Sequence, residues 1–230
     1  MKYELGITTF ERPDCLESCL KSVRRFYPDL KITVADCSED PPSSHPLVDT
    51  YIQLPFDVGV SRGRNTIIDS TDSEFLMIMD DDSIFYRACL DEMMNPFECE
   101  SIDLVAGHVG GNFFGKLEIV NNILYRRAGI YDDMYGYKIY DYVPQLFIAK
   151  TEKLREVRWN DDLKTLEHMD FFWRARGKIT STRVPECVFK NTSIRNKKYK
   201  KYRERFAEFY RKQCDAIGVK DIVDDNITQA

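Results

Sequence analysis

Five apolar residues in a row, Phe75 to Met79, run straight into Asp80, Asp81 and Asp82. So short an unbroken apolar run reads as a strand buried on both faces, the pattern of an inner strand in an α/β sheet. Three adjacent carboxylates repel one another unless a cation sits among them. Open α/β sheets bind their ligands at the carboxyl ends of their strands, where this cluster falls. Hard oxygen ligands with room for phosphate oxygens suit Mg2+ or Mn2+ holding a diphosphate. A solvated acidic turn between two elements is the competing reading of the same stretch.

The flanking chain supports a crevice. Tyr3 to Thr9 reads as a first strand, and Pro13 suits the first turn of a helix whose apolar positions are Leu16, Leu20, Val23 and Phe26. Ile32 to Ala35 is a second buried strand, so the unit is a right-handed crossover with parallel strands whose polar ends share one edge. Further on, Ser61 is a plausible N-cap, with Arg62, Arg64 and Asn65 in the first turns of a helix. A helix start with two arginines is a ready anion site. Tyr86 to Met94 is predicted as a helix, Leu104 to Gly107 as a strand, and Lys116 to Arg127 as a hairpin arm.

Tyrosines 131, 135, 137, 140 and 142 either line a sugar pocket, since rings stack on sugar C–H faces, or belong to an ordinary hairpin. Glu167 and Asp170 lie three apart on a predicted helix and so share a face. The adjacent Phe171, Phe172 and Trp173 would desolvate a carboxylate there and make it a better base. The same two acids are also ordinary favourable charges in a first helical turn. Ile179 to Val184 and Cys187 to Phe189 close the sheet. Lys190 to Lys212 is basic, with apolar positions at Phe206, Phe209 and Tyr210, and reads as a solvated face or a contact for phosphate or an anionic membrane.

Composition narrows the classes. With 230 residues, 43% of them hydrophobic, one large α/β domain is expected. A net charge of −5 argues against a general nucleic-acid-binding protein. No apolar run is long enough to span a bilayer, and the N-terminus lacks the apolar core of a signal peptide. The seven cysteines form no Cys-x-x-Cys pair and are expected to be reduced thiols in a cytosolic protein.

Four motifs come in order: Thr8-Thr-Phe-Glu-Arg-Pro13, Asp36-Cys-Ser38, Phe56-Asp-Val-Gly-Val-Ser-Arg-Gly-Arg-Asn65, and Met79-Asp-Asp-Asp-Ser-Ile-Phe85. Together they resemble the GT-A glycosyltransferases of the family 2 type. Phe147-Ile-Ala-Lys-Thr-Glu-Lys-Leu-Arg-Glu-Val157 and Glu167-His-Met-Asp-Phe-Phe172 look like the β1,4-N-acetylgalactosaminyltransferases of the ganglioside-synthase kind. The resemblance implies a GT-A nucleotide-diphospho-sugar transferase fold, a mixed, mostly parallel sheet flanked by helices. It spans residues 1–193, with a donor-binding half to about 110, an acceptor and catalytic half to 193, and a basic helical extension over 194–230.

Residue by residue, the resemblance makes Asp80, Asp81 and Asp82 the DxD motif that holds Mn2+ or Mg2+ and a nucleotide sugar, with Asp82 the main metal ligand and Asp80 the second. Thr9, Arg12 and Asp36 would surround the nucleobase and ribose, and Arg62 and Asn65 would approach the donor. Asp170 falls at the catalytic base, with Glu167 as runner-up. Where relatives carry a further histidine ligand this chain has Lys190, which while charged would pair with the diphosphate instead. The expected activity is a metal-dependent, inverting transfer from a UDP-sugar to a glycan or glycoconjugate hydroxyl. The animal enzymes' membrane anchor and stem are not seen here, so the expected setting is the cytoplasm, in a bacterial or viral protein rather than the Golgi. A nucleotidyltransferase would want a glycine-rich phosphate loop after strand one, which Thr8 to Pro13 does not provide. A carbohydrate-binding protein that kept the fold without turnover is the remaining alternative.

Overall fold

The computed structural model describes residues 3–110, 113–192 and 197–224, apart from the side chains of 197, 198 and 203. Its centre is the predicted apolar run. Strand β4 (Phe75–Asp80) lies inside an eight-stranded sheet, next to β1 (Tyr3–Thr9), which pairs in turn with β2 (Ile32–Asp36) and then β3 (Thr50–Gln53), all parallel. Its side chains alternate between two cores. Phe75, Met77 and Met79 face one side with Leu16, Leu20 and Val23 of α1 (Pro13–Phe26), while Leu76 and Ile78 face the other with Ile67 and Ile68 of α2 (Val60–Ser70). Both alternating faces are apolar because both are covered by helices.

On its other edge β4 pairs antiparallel with β11 (Phe147–Lys150), which pairs with β6 (Leu104–Val109), then β12 (Ser181–Asn191) and β5 (Ser83–Phe85). The two closing strands expected from the sequence are one strand, β12, whose register slips between Arg183 and Val188, around Pro185. The predicted helix from Tyr86 is much shorter. Helix α3 (Leu90–Met94) starts only at Leu90, where the Tyr27 hydroxyl accepts from the amides of Cys89 and Leu90 and marks the helix end. The hairpin of β7 (Lys116–Val120) and β8 (Ile123–Arg127) forms as expected. A small ribbon, β9 (Asp132–Met134) and β10 (Tyr137–Ile139), carries the tyrosine-rich stretch and leaves Tyr131 and Tyr135 exposed.

The cysteine expectation is overturned as well. Cys89 and Cys187 form a disulfide across a sequence separation of 98, so five cysteines rather than seven are free. That pairing is made by β12 folding back beside α3, and no local spacing announces it. A disulfide belongs to oxidising conditions more readily than to a reducing cytosol.

The basic tail folds into two helices, α6 (Lys197–Arg203) and α7 (Phe206–Ile217), and a strand, β13 (Asp221–Asp224), that pairs with β8. Helix α7 turns Phe209, Gln213, Cys214 and Ile217 inward toward α5 (Glu167–Ala175), so the tail continues the second core. No helix among the described residues is long and apolar enough to cross a membrane.

Candidate active site

Register brings the polar strand ends together. Thr9 lies beside Asp36, and Thr8 beside Asp80, at one edge of the sheet. There the crowded carboxylates find their cations within the chain. Arg12, at the N-cap of α1, donates to Asp81 and, at 2.8 Å, to Asp82 Oδ2. Thr9 donates its hydroxyl to the second Asp81 oxygen at 2.7 Å. Burial pushes the Asp81 carboxyl up to about 7, against the opposing pull of Arg12 and Thr9. Arg12 itself is raised: burial, the largest influence, works against its charge, and Asp81 and Asp82 outweigh it. Asp81 is therefore an internal strut, and Asp80 and Asp82 are the aspartates that line the cleft.

Arg64 makes the second knot. Its side chain is 1% exposed, and it donates to Asp80 Oδ1 at 2.7 Å and to Glu167. Its guanidinium also lies 5.3 Å from the Trp159 ring centroid. A buried arginine needs such a partner, since an unpaired charge in the interior is costly, and Arg64 has two. Arg62, by contrast, is 59% exposed and pairs with Asp161 outside the cleft. Two residues apart on a helix means a rotation of about 200°, so both arginines cannot face one crevice. The sequence held that signal: Ser61, Arg64, Asn65 and Ile68 share the buried face. Asn65 uses it to fasten the 159–161 loop, bonding the Trp159 backbone on both sides at 2.8 and 2.9 Å.

Helix α2 begins at Val60 with Gly59 as N-cap, and Ser61, the expected cap, instead donates to the Leu163 carbonyl at 2.6 Å. Gly59 has φ 94°, and a Cβ there would fall 2.4 Å from Lys164 Cα. Gly59→Ala is therefore expected to cost more than about 1 kcal/mol, from both left-handed strain and the clash. A thermal melt reads this as a fall of at least roughly 3 °C.

The cleft is a cavity of about 250 Å³ whose floor carries Thr9, Arg12, Arg64, Asp80, Asp82 and Glu167. A neighbouring cavity shares Asp80, Asp82, Glu167 and Asn191 and adds Gln145 and His168. The three acids thus stand at the junction of two chambers. His168 sits against Gln145; burial first, then the Arg64 charge, drive its imidazole down to about 3, so it is neutral at neutral pH. Leu166, just before Glu167, holds φ 62°, a left-handed conformation that costs on the order of 1 kcal/mol and turns the start of α5 toward the cleft.

The remaining expected residues are distributed unevenly. Asp36 is buried, accepts from the Tyr51 hydroxyl at 2.6 Å, and lines a separate acidic pocket that it shares with Thr9. Lys190 is exposed, and strand alternation puts Asn191, its neighbour, on the cleft side. Asp170 is 1% exposed and its Oδ2 accepts two bonds from Arg174, at 2.7 and 3.0 Å. Of the two acids on α5, Glu167 lines both chambers and Asp170 neither.

Among the described residues no group of three or more His, Cys, Asp or Glu is arranged to hold a metal. Asp80 and Asp82 nevertheless fit a divalent cation of the Mg2+ or Mn2+ type, because each turns one carboxylate oxygen to an arginine and has a second to offer, and such ions complete their shells with water and phosphate oxygens.

Residues 5–158 match the family described as Glycosyl transferase family 2. The chain is 31% identical over 200 residues to the human beta-1,4 N-acetylgalactosaminyltransferase 1, a match covering 80% of this chain and 37% of that protein. The mouse beta-1,4 N-acetylgalactosaminyltransferase 2 is 29% identical over 193 residues, covering 80% and 38%. The chain thus spans less than two-fifths of the length of either relative. Among solved structures, S. aureus TarS 1-349 in complex with UDP-GlcNAc superposes with a TM-score of 0.65 at 16% identity, covering 96% of this chain and 68% of that one. GalNAc-T7 with UDP, GalNAc and Mn2+ gives 0.65 at 12% identity, covering 83% and 44%. These superpositions establish a shared GT-A fold.

Proposed function

The chain belongs to glycosyl transferase family 2, and on that premise we propose that it transfers a sugar from a UDP-linked donor to a hydroxyl of a glycan or glycoconjugate. The observation that carries this reading is the junction of the two chambers, where Asp80, Asp82 and Glu167 face one space between Arg12 and Arg64. One chamber suits the nucleoside diphosphate and the other the acceptor. The relatives support the reading by their names, N-acetylgalactosaminyltransferases, and two structural neighbours by the UDP or UDP-GlcNAc they hold.

In a single displacement the acceptor oxygen bonds to the anomeric carbon as the bond to the β-phosphate oxygen breaks, which inverts that carbon. The acceptor proton passes to the Glu167 carboxylate, and the nucleoside diphosphate leaves with the electrons of the broken bond. Asp80 and Asp82 would hold a divalent cation, which when bound would stabilise charge on that leaving group. Arg12 and Arg64 fix the two aspartates in place and offset part of the acids' negative charge, and a bound cation would offset the rest for phosphate. Most of the rate then comes from charges set in position beforehand.

The test is ligand-dependent stability. UDP with Mn2+, at about a hundred times its Kd, is expected to raise Tm by roughly 5–10 °C. Incubation with a UDP-sugar and no acceptor should slowly release UDP. Stabilisation without any UDP release would point to a carbohydrate-binding protein, and release of pyrophosphate from UTP and a sugar phosphate to a nucleotidyltransferase.

A further inference from the structure

We propose that the C-terminal helices, which lie beyond the family match, form a working wall of the donor cleft, with Tyr202 as the ring that covers the nucleobase. The inference rests on the donor reading above and assigns a part of that site which the motifs do not contain. Tyr199 and Tyr202 of α6, Arg205 at the N-cap of α7, and Phe209 within it all line the same cavity as Thr9 and Asp80.

Tyr202 meets two rings from the body of the fold, Phe10 at 4.9 Å and Phe56 at 5.7 Å, both edge-on, while Phe10 and Phe56 lie 5.8 Å apart. Three rings from three distant segments thus make one aromatic cluster, of which Phe10 and Tyr202 line the cleft. Such a cluster accepts the flat face of a base, whose stacking on aromatic side chains is tolerant of base identity. Tyr199 stands beside it, 4.3 Å from the Arg12 guanidinium that also holds Asp81 and Asp82, so the wall reaches the phosphate end of the cleft.

The wall is fastened at both ends. Asp57, on the loop before α2, accepts from Lys164 at 2.8 Å and from Arg205 at 3.0 Å, so one carboxylate ties the start of α7 to two edges of the cleft. Deeper in α7, Phe209 is buried and Gln213 donates to the carbonyl of Leu166, the left-handed residue that precedes Glu167. The basic, aromatic tail thereby acquires a role on the donor, and its apolar positions Phe209, Cys214 and Ile217 pack inward.

The experiment is titration calorimetry of the full chain with UDP, GDP, CDP and ADP in Mn2+, on wild type, Tyr202→Ala, Tyr202→Phe and Arg205→Ala. Wild type should bind, Tyr202→Ala should bind about tenfold more weakly, and Tyr202→Phe should keep wild-type affinity because the ring suffices. Arg205→Ala should fall between them. Tyr202 is half-exposed, so melts of the free variants should lie close to wild type and separate a lost contact from a lost fold. Wild-type binding with equal affinity in Tyr202→Ala overturns the inference and leaves the donor reading standing. Tighter binding by Tyr202→Ala overturns it too, since the ring would then be a plug. If wild type binds none of the four, the donor reading falls and takes this inference with it.

Discussion

Asp82→Ala is expected to abolish measurable transfer, a loss of at least roughly a hundredfold to a thousandfold in kcat, the range found when one preorganised charge stabiliser is removed. Asp82 lines both chambers and is one of the two aspartates able to hold a cation there. The fold should survive the change. Its side chain is 15% exposed, Arg12 keeps its partner Asp81, and the contact Asp82 makes to the rest of the sheet runs through its backbone carbonyl, which accepts from the Thr192 amide at 2.8 Å. Calorimetry in Mn2+ and in EDTA should find that the variant has lost the metal-dependent part of UDP binding. Wild-type turnover in Mn2+ would remove Asp82 from the ligand set.

The second large effect separates the two acids of α5. Glu167→Gln is expected to lower kcat by at least about a hundredfold, the low end of what a general base supplies. Its Kd for UDP should hardly move, because the glutamine oxygen can still accept from Arg64 and so keep Asp80 in place. Asp170→Asn should do the reverse. It weakens charge-assisted bonds with Arg174, at a cost of about 1–3 kcal/mol in stability, while kcat at saturating donor stays within a few-fold of wild type. Measuring kcat and Tm on both variants decides it. A dead Asp170→Asn with an unchanged melt would return the base to Asp170, where the resemblance and the neighbouring aromatic run both put it.

Ranking these two acids is where the motif stops being informative. Glu167 and Asp170 are three residues apart and sit on nearby faces of one helix, so their spacing cannot rank them. The ranking comes from what lies across from each. Glu167, behind a left-handed Leu166, meets Arg64 from the other half of the chain at the cleft floor; Asp170, one turn later, is closed off by Arg174. The aromatic run is buried, since Phe171 and Phe172 are fully enclosed, but Asp170 lines neither chamber, and that is the ground on which the base is proposed at Glu167.

The sequence by itself determined the central strand, the parallel crossover before it and the acidic turn after it. Each is written in a local pattern, an apolar run, a helical repeat or a strand end, that physics reads over fewer than about twenty residues. The 3.6-residue period also carries Arg64 to the inner face of its helix, whereas Arg62, expected to approach the donor, falls on the exposed one. Only the tertiary structure decided which aspartate became internal, because Arg12 reaches Asp81 and Asp82 across about seventy residues and a parallel register. It alone joined Arg64 to Glu167, Cys89 to Cys187, and Asp57 to Arg205. Those partners are roughly a hundred or more residues apart, and a chain that long leaves no local trace of which charge will neutralise which. Packing of the two cores brings them within reach, and for the buried pair of Arg64 and Glu167 the cost of an unpaired charge then fixes the partner.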